Sequence, residues 1–272
     1  MKSKSKLLAA PYTLWSALFI IIPLCMIIYY GVTDKTGAFT LENITAIASI
    51  GHARALWRSI LLSIISTVLC FVLAYPLAMI LTNMKGGQYG FIILIFILPM
   101  WMNFLLRTLA WQTLLEKRGV INSILSFLGL PNMHIINTPY AIILGMVYNF
   151  LPFMVLPLYN ALSKIDENVI NAAKDLGANK IQTFFHVILP LSVPGIISGI
   201  TMVFVPALTT FVISTLLGGS KVLLIGDVIE QEFTQASNWH LGSGLSIILM
   251  VFIIINMIIT SLFDKEGTGS VL

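Results

Sequence analysis

The residues able to do chemistry in this chain are few and widely spaced. Four histidines, His52, His134, His186 and His240, show no metal-ligand spacing, and Cys25 and Cys70 form no C-x-x-C pair. No D-x-x-D or H-x-x-x-H pair offers acid–base or metal chemistry, and no G-x-x-x-x-G-K-[ST] loop could cradle a nucleotide phosphate. What remains suits recognition rather than bond-breaking. Arg107 lies in WMNFLLRTLAW, with Asn103 four residues before it and Trp111 four after it on one helical face. Asp227, Glu230 and Glu232 gather near Trp239 in a segment whose only Lys or Arg is Lys221. The run from Asn171 to Pro194 carries Lys174, Asp175, Lys180 and His186 between two long apolar segments.

The elements that must position these residues are set by composition. Of 272 residues, 58% are hydrophobic and 10% charged, and the mean hydropathy is +0.96. Soluble domains average about 25% charged residues, so most of this chain is solvated by lipid. Its length allows one integral membrane domain, residues 1–272. The net charge of +4 reports basic residues near a membrane face and is a poor match to nucleic acid. Apolar runs of roughly 20 residues, enough to cross a bilayer, fall at Leu8–Tyr30, Ser59–Leu81, Phe91–Leu109, Tyr140–Leu158, Ser192–Leu216 and Leu245–Phe263. The expectation is an all-α, multi-pass bundle of six transmembrane helices.

Six spans put both termini on one side, and Lys2, Lys4 and Lys6 assign that side to the cytoplasm. The first apolar run is too long for a signal-peptide core and lacks a small-x-small cleavage site, so it reads as a retained span. The Lys85-Gly86-Gly87 turn makes the second and third spans antiparallel neighbours. Gly31–Trp57 is too polar to span, with Ala53–Arg58 an interfacial start to the second helix. Ile121–Leu128 reads as a short amphipathic helix. Pro23, Pro76, Pro99, Pro152, Pro157 and Pro206 interrupt the spans as kinks.

The polar run at 171–194 cannot sit in hydrocarbon, where each unsatisfied polar group costs several kcal/mol. Its local grammar is helix, break, helix. Asp166 and Glu167 suit a helix start, Ala172 and Ala173 favour helix, and Gly177 supplies a left-handed end. Ile181, Phe184, Phe185 and Ile188 form a second apolar-periodic piece, and Pro190 and Pro194 lead into the next span.

This run resembles the cytoplasmic coupling loop, the EAA loop, of ABC-importer permeases. Ala172, Ala173, Gly177, Ala178, Leu189 and Pro190 fall at the positions of that pattern, and Asn171 stands where the family usually has Glu. The stretch LPMWMNFLLRTLAW, followed by VYNFLPFMVLPLYNAL at 147–162, is further similar to the first permease subunit of spermidine/putrescine importers, from about Arg58 onward.

The resemblance implies the type I importer permease fold in a bacterial cytoplasmic membrane, with a coupling loop over about 163–190. It implies that Asn171, Ala172, Ala173, Asp175, Gly177, Leu189 and Pro190 couple the chain to an ATPase. The implied partners are a second permease subunit forming a heterodimer, two copies of a cytoplasmic ATPase that hold ATP and Mg, and an extracytoplasmic polyamine-binding protein. This chain would bind no cofactor and catalyse nothing itself. A flexible polycation calls for carboxylates and aromatic faces. Trp101, Asn103, Arg107, Tyr148, Asp227 and Glu230 are the candidates for the substrate path, with Arg107 expected to pair with a carboxylate or with the partner subunit. An importer for another small solute, an integral-membrane enzyme and a standalone secondary transporter are the alternatives.

Overall fold

The computed structural model describes residues 11–84, 94 and 98–269. Lys2, Lys4, Lys6 and the Lys85-Gly86-Gly87 turn lie outside these residues. The described chain is helical, with one isolated bridge pair, Thr33 and Phe39, in place of strands. Four helices are long and apolar enough to cross a membrane: α1 (Pro11–Gly31), α2 (Ile50–Asn83), α5 (Pro139–Leu162) and the Trp239–Ser261 part of α10 (Trp239–Gly269). Between them lie α3 (Phe104–Leu115), α4 (Val120–Phe127), α6 (Glu167–Asp175), α7 (Lys180–Leu191), α8 (Val193–Thr209) and α9 (Ile225–Thr234). Helices α7 and α8 together are apolar enough for a fifth span but meet at 63°.

Two expected spans are broken. Part of Phe91–Leu109 lies outside the described residues. Within the rest, the helix stops at Met102–Asn103 and restarts at Phe104, because the Asn103 side chain caps α3 by accepting from Leu105 N–H at 2.9 Å and Leu106 N–H at 3.3 Å. The run expected to continue to Leu216 ends at Thr209, and Thr210 is extended (φ −66°, ψ 138°). Hydropathy does not register either break, since the residues on both sides are equally apolar. The second helix begins at Ile50, well before the interfacial start expected at Ala53.

The chain folds as two compact units, residues 56–227 with 254–272 and residues 1–55 with 228–253. In the first, α5 and α8 pack most extensively, and glycines allow it. A methyl at Gly195 would meet the Ala161 side chain and the Pro157 carbonyl, and one at Gly199 would meet Met154. Gly195 and Gly199 form a small-xxx-small step that lets two backbones approach, the usual basis of helix pairing in lipid. After the break at Thr210 the chain runs on along α5 as a π turn, Ser214–Gly218, and returns past Gly219 to bring Gly226 against Thr209 and Thr210. Ile213 and Leu217 press on Gly145 of α5, and Asn137 N–H donates to Leu217 O at 2.8 Å.

In the second unit the end of α1 is held by side chains. Asn43 Nδ2 donates to Thr33 O (2.9 Å), and His240 Nδ1 lies 2.6 Å from the same oxygen and 3.1 Å from Tyr30 O. These groups satisfy carbonyls that a helix end leaves open. Gly244 passes directly over the Asn43 backbone, leaving no room for a Cβ. The Asp34 carboxylate accepts from Thr36 Oγ1, Thr36 N–H and Ala38 N–H, which hold it below its ordinary value and shape the outlying turn.

Candidate functional site

The polar run forms a two-helix hairpin, α6 and α7, and local hydrogen bonds close both ends of α6 and the start of α7. Asp166 caps α6 by accepting from Asn168 N–H at 2.9 Å. At the other end Gly177 (φ 86°) donates to Lys174 O and Ala178 donates to Ala173 O, a Schellman end. Asn179 then starts α7 through a reciprocal box, with its Oδ1 accepting from Gln182 N–H and its own N–H donating to Gln182 Oε1, both 2.9 Å.

A hairpin this polar at its ends nevertheless displays apolar side chains. Leu176 is 90% exposed at the turn, with Ile181, Phe185 and Val169 also exposed. Ala173, Leu176, Gly177, Ala178, Gln182, His186 and Val187 line an open depression of about 440 Å³. Such a patch ringed by polar groups marks a protein contact. Of the expected coupling residues, Ala173 and Gly177 line this depression, and Asn171, Ala172 and Asp175 are exposed elsewhere on α6. Leu189 and Pro190 lie farther along, where α7 approaches its bend at Ser192. Asn171 Oδ1 accepts from Lys174 Nζ at 3.4 Å. Asp175 puts a negative charge at the end of α6, where the macrodipole disfavours it.

Trp101 is 83% exposed, and Asn103 is spent on its cap. Tyr148 packs edge-on against Trp111, with centroids 5.2 Å apart. Arg107 is only 7% exposed, its guanidinium carbon 5.9 Å from the Phe104 ring centre. Its Nε and Nη1 have no hydrogen-bond partner among the described residues. Asp227, expected in a solvated outer loop, is 1% exposed. Thr215 Oγ1 donates to its Oδ1 and Leu224 N–H to its Oδ2, both at 2.8 Å. That carboxylate ties the 210–224 segment to α9 and is not displayed to a ligand. Glu230, three residues on, is half-buried, its Oε1 accepting from Thr234 Oγ1 at 2.9 Å.

Reading by residue type missed the joint between the hairpin and α2. Tyr75 is buried with its phenol oxygen 2.8 Å from Ser192 Oγ, and its ring meets Phe184 of α7 edge-on. No local pattern signals a contact across 117 residues.

The described residues thus form a multi-helix chain with several apolar helices of membrane-crossing length and an exposed two-helix hairpin. Residues 44–266 match the family described as the binding-protein-dependent transport system inner membrane component, and the chain belongs to that family. It is 38% identical over 245 residues to the spermidine/putrescine transport system permease protein PotB of Haemophilus influenzae (strain ATCC 51907 / DSM 11121 / KW20 / Rd), covering 87% of this chain and 86% of that protein. It is also 38% identical to PotB of Escherichia coli (strain K12), covering 87% and 89%. A chain in the crystal structure of a bacterial alginate ABC transporter, in complex with alginate pentasaccharide-bound periplasmic protein, shares the fold at a TM-score of 0.80 and 19% identity, covering 98% of this chain and 96% of that one.

Proposed function

We propose that this chain is one of two permease subunits of an ATP-driven polyamine importer. The observation that carries the reading is the hairpin, whose capped ends hold an exposed apolar face around Leu176 and Ala173 in the position of the family's coupling loop. A cytoplasmic ATPase, two copies per importer with ATP and Mg, is the partner that face fits. Both termini and the hairpin then lie on the cytoplasmic side. The polyamine cargo is supported by the 38% identity to two spermidine/putrescine permeases over 87% of the chain. An extracytoplasmic binding protein that delivers the cargo is supported by the family description and by the alginate transporter solved with its periplasmic protein.

The chemistry of the bundle agrees with a cationic cargo. Arg107 is enclosed by the protein, so its charge is not displayed to a polycation. Tyr148 and Trp111 offer aromatic faces, and Trp101 a third, suited to ammonium groups. Asp175 at the end of α6 is a poor choice for helix stability and a good one for meeting a basic residue across a docking face.

The test is reconstitution of the chain with its second permease, ATPase and binding protein in liposomes, with labelled spermidine and putrescine outside. ATP-dependent accumulation of either is the expected result. No accumulation of either, with an intact complex, overturns the cargo. Failure of any ATPase to co-purify overturns the docking surface. In the same assay Ala173→Arg places a bulky cation in the depression, and uptake is expected to fall at least about tenfold, as a lost 1.4 kcal/mol would give.

A further inference from the structure

Helices α7 and α8 meet at 63° with Ser192 as the joint. The backbone ladder is thinned at this joint. Pro194 has no N–H to donate to Pro190 O, so one helical hydrogen bond across the bend is missing, while Ser192 N–H reaches Ile188 O and Ile196 N–H reaches Ser192 O, each at 3.0 Å. A contact from outside the two helices adds to these bonds, since Tyr75 of α2 touches the joint itself and the hairpin side of it. Ser192 Oγ donates to Leu189 O at 2.9 Å, which leaves it the acceptor for the Tyr75 phenol at 2.8 Å. The Tyr75 ring sits edge-on to Phe184 in the hairpin, at 5.6 Å and 85°, and to Phe71 on its own helix at 5.5 Å. Both Tyr75 and Ser192 are buried, 5% and 0% exposed, so water does not compete for this hydrogen bond.

We infer that Tyr75 is the positioning residue that ties movement of the hairpin to α2. With the bond made, the hairpin cannot swing about Ser192 without dragging the second span along. Without it, the proline-flanked joint takes up the motion and α2 stays behind. The inference rests on the reading of the hairpin as the ATPase-docking handle. Tyr75 touches neither cargo nor nucleotide, so its removal should act on the ratio of transport to hydrolysis.

Tyr75→Phe keeps the ring and its contacts with Phe184 and Phe71 and removes only the hydroxyl. In the complete reconstituted importer, ATPase co-purification and ATP hydrolysis stimulated by loaded binding protein are expected to persist. Labelled spermidine taken up per ATP hydrolysed should fall about fivefold, the factor one neutral hydrogen bond is worth. Ser192→Ala should give the same fall, the double variant should be no worse than either, and Ser192→Thr should restore the ratio by keeping a hydroxyl. Uptake per ATP equal to the parent in both Tyr75→Phe and Ser192→Ala, with docking intact, overturns the inference alone. Failure of the ATPase to bind the parent chain overturns the docking reading and the inference with it.

Discussion

The hairpin at 166–191 and the returning segment at 210–227 both interrupt long helices, yet they are held in opposite ways. Three of the hairpin's four helix ends are closed by residues within five positions of one another, Asp166 with Asn168, Gly177 and Ala178 with Lys174 and Ala173, Asn179 with Gln182, and the fourth, at Ser192, also meets Tyr75 of α2. Its apolar side chains are left outside. The returning segment is closed by distant groups. Ile225 N–H donates to Ser59 Oγ at 2.8 Å, Asn137 holds Leu217 O, and Asp227 gathers Thr215 and Leu224. A locally closed element can be displaced as a unit without losing its shape, which suits a handle. A segment closed by the bundle keeps its shape only while the bundle surrounds it.

Substitutions can break or sharpen this contrast. The largest stability effect is expected for Asp227→Ala, which leaves Leu224 N–H and the Thr215 hydroxyl without their buried acceptor. At about 1.5–3 kcal/mol for a hydrogen bond to a charged group, the loss should be about 3 kcal/mol or more, read as a lower melting midpoint in detergent. Gly145→Leu, which drives a side chain into Ile213 and Leu217, should cost about 1–3 kcal/mol by overpacking. It should also make residues 210–224 exchange amide hydrogen faster than the hairpin does. If the hairpin loosens equally, the two regions are not held separately.

The hairpin's own substitutions should be milder. Gly177→Ala forces a side chain onto a backbone at φ 86°, at about 1–2 kcal/mol, and should fray the end of α6 while leaving global melting nearly unchanged. Asn179→Ala removes one cap, at about 1 kcal/mol, with faster exchange confined to the first turn of α7. A global melting shift as large as that of Asp227→Ala would contradict local closure.

The same distinction explains what was legible before any coordinates. The roles of Asp166 and Gly177 follow from residue type and spacing because a cap and a left-handed end involve only near neighbours. The short helix expected over Ile121–Leu128 is present as Val120–Phe127 for the same reason. Asn103 carried a usable signal, an asparagine before an apolar run, but continuous hydropathy around it concealed a break. Asp227 carried none. Its burial depends on Thr215, twelve residues away, and on where the chain returns past Gly218 and Gly219 toward Thr210, which those glycines permit but do not aim.

By itself the sequence determined that this is a lipid-solvated, all-helical chain, roughly where it crosses, and where a wet two-helix handle interrupts it. Hydropathy and capping act over one or two turns, so they are written in consecutive residues. Only the tertiary structure decided that α7 and α8 meet at 63° with Tyr75 against the joint, that Asp227 is an internal strut, and that Arg107 is enclosed. Those outcomes depend on which helices lie side by side, and small residues such as Gly145, Gly195 and Gly199 set that through close approach rather than through any pattern along the chain.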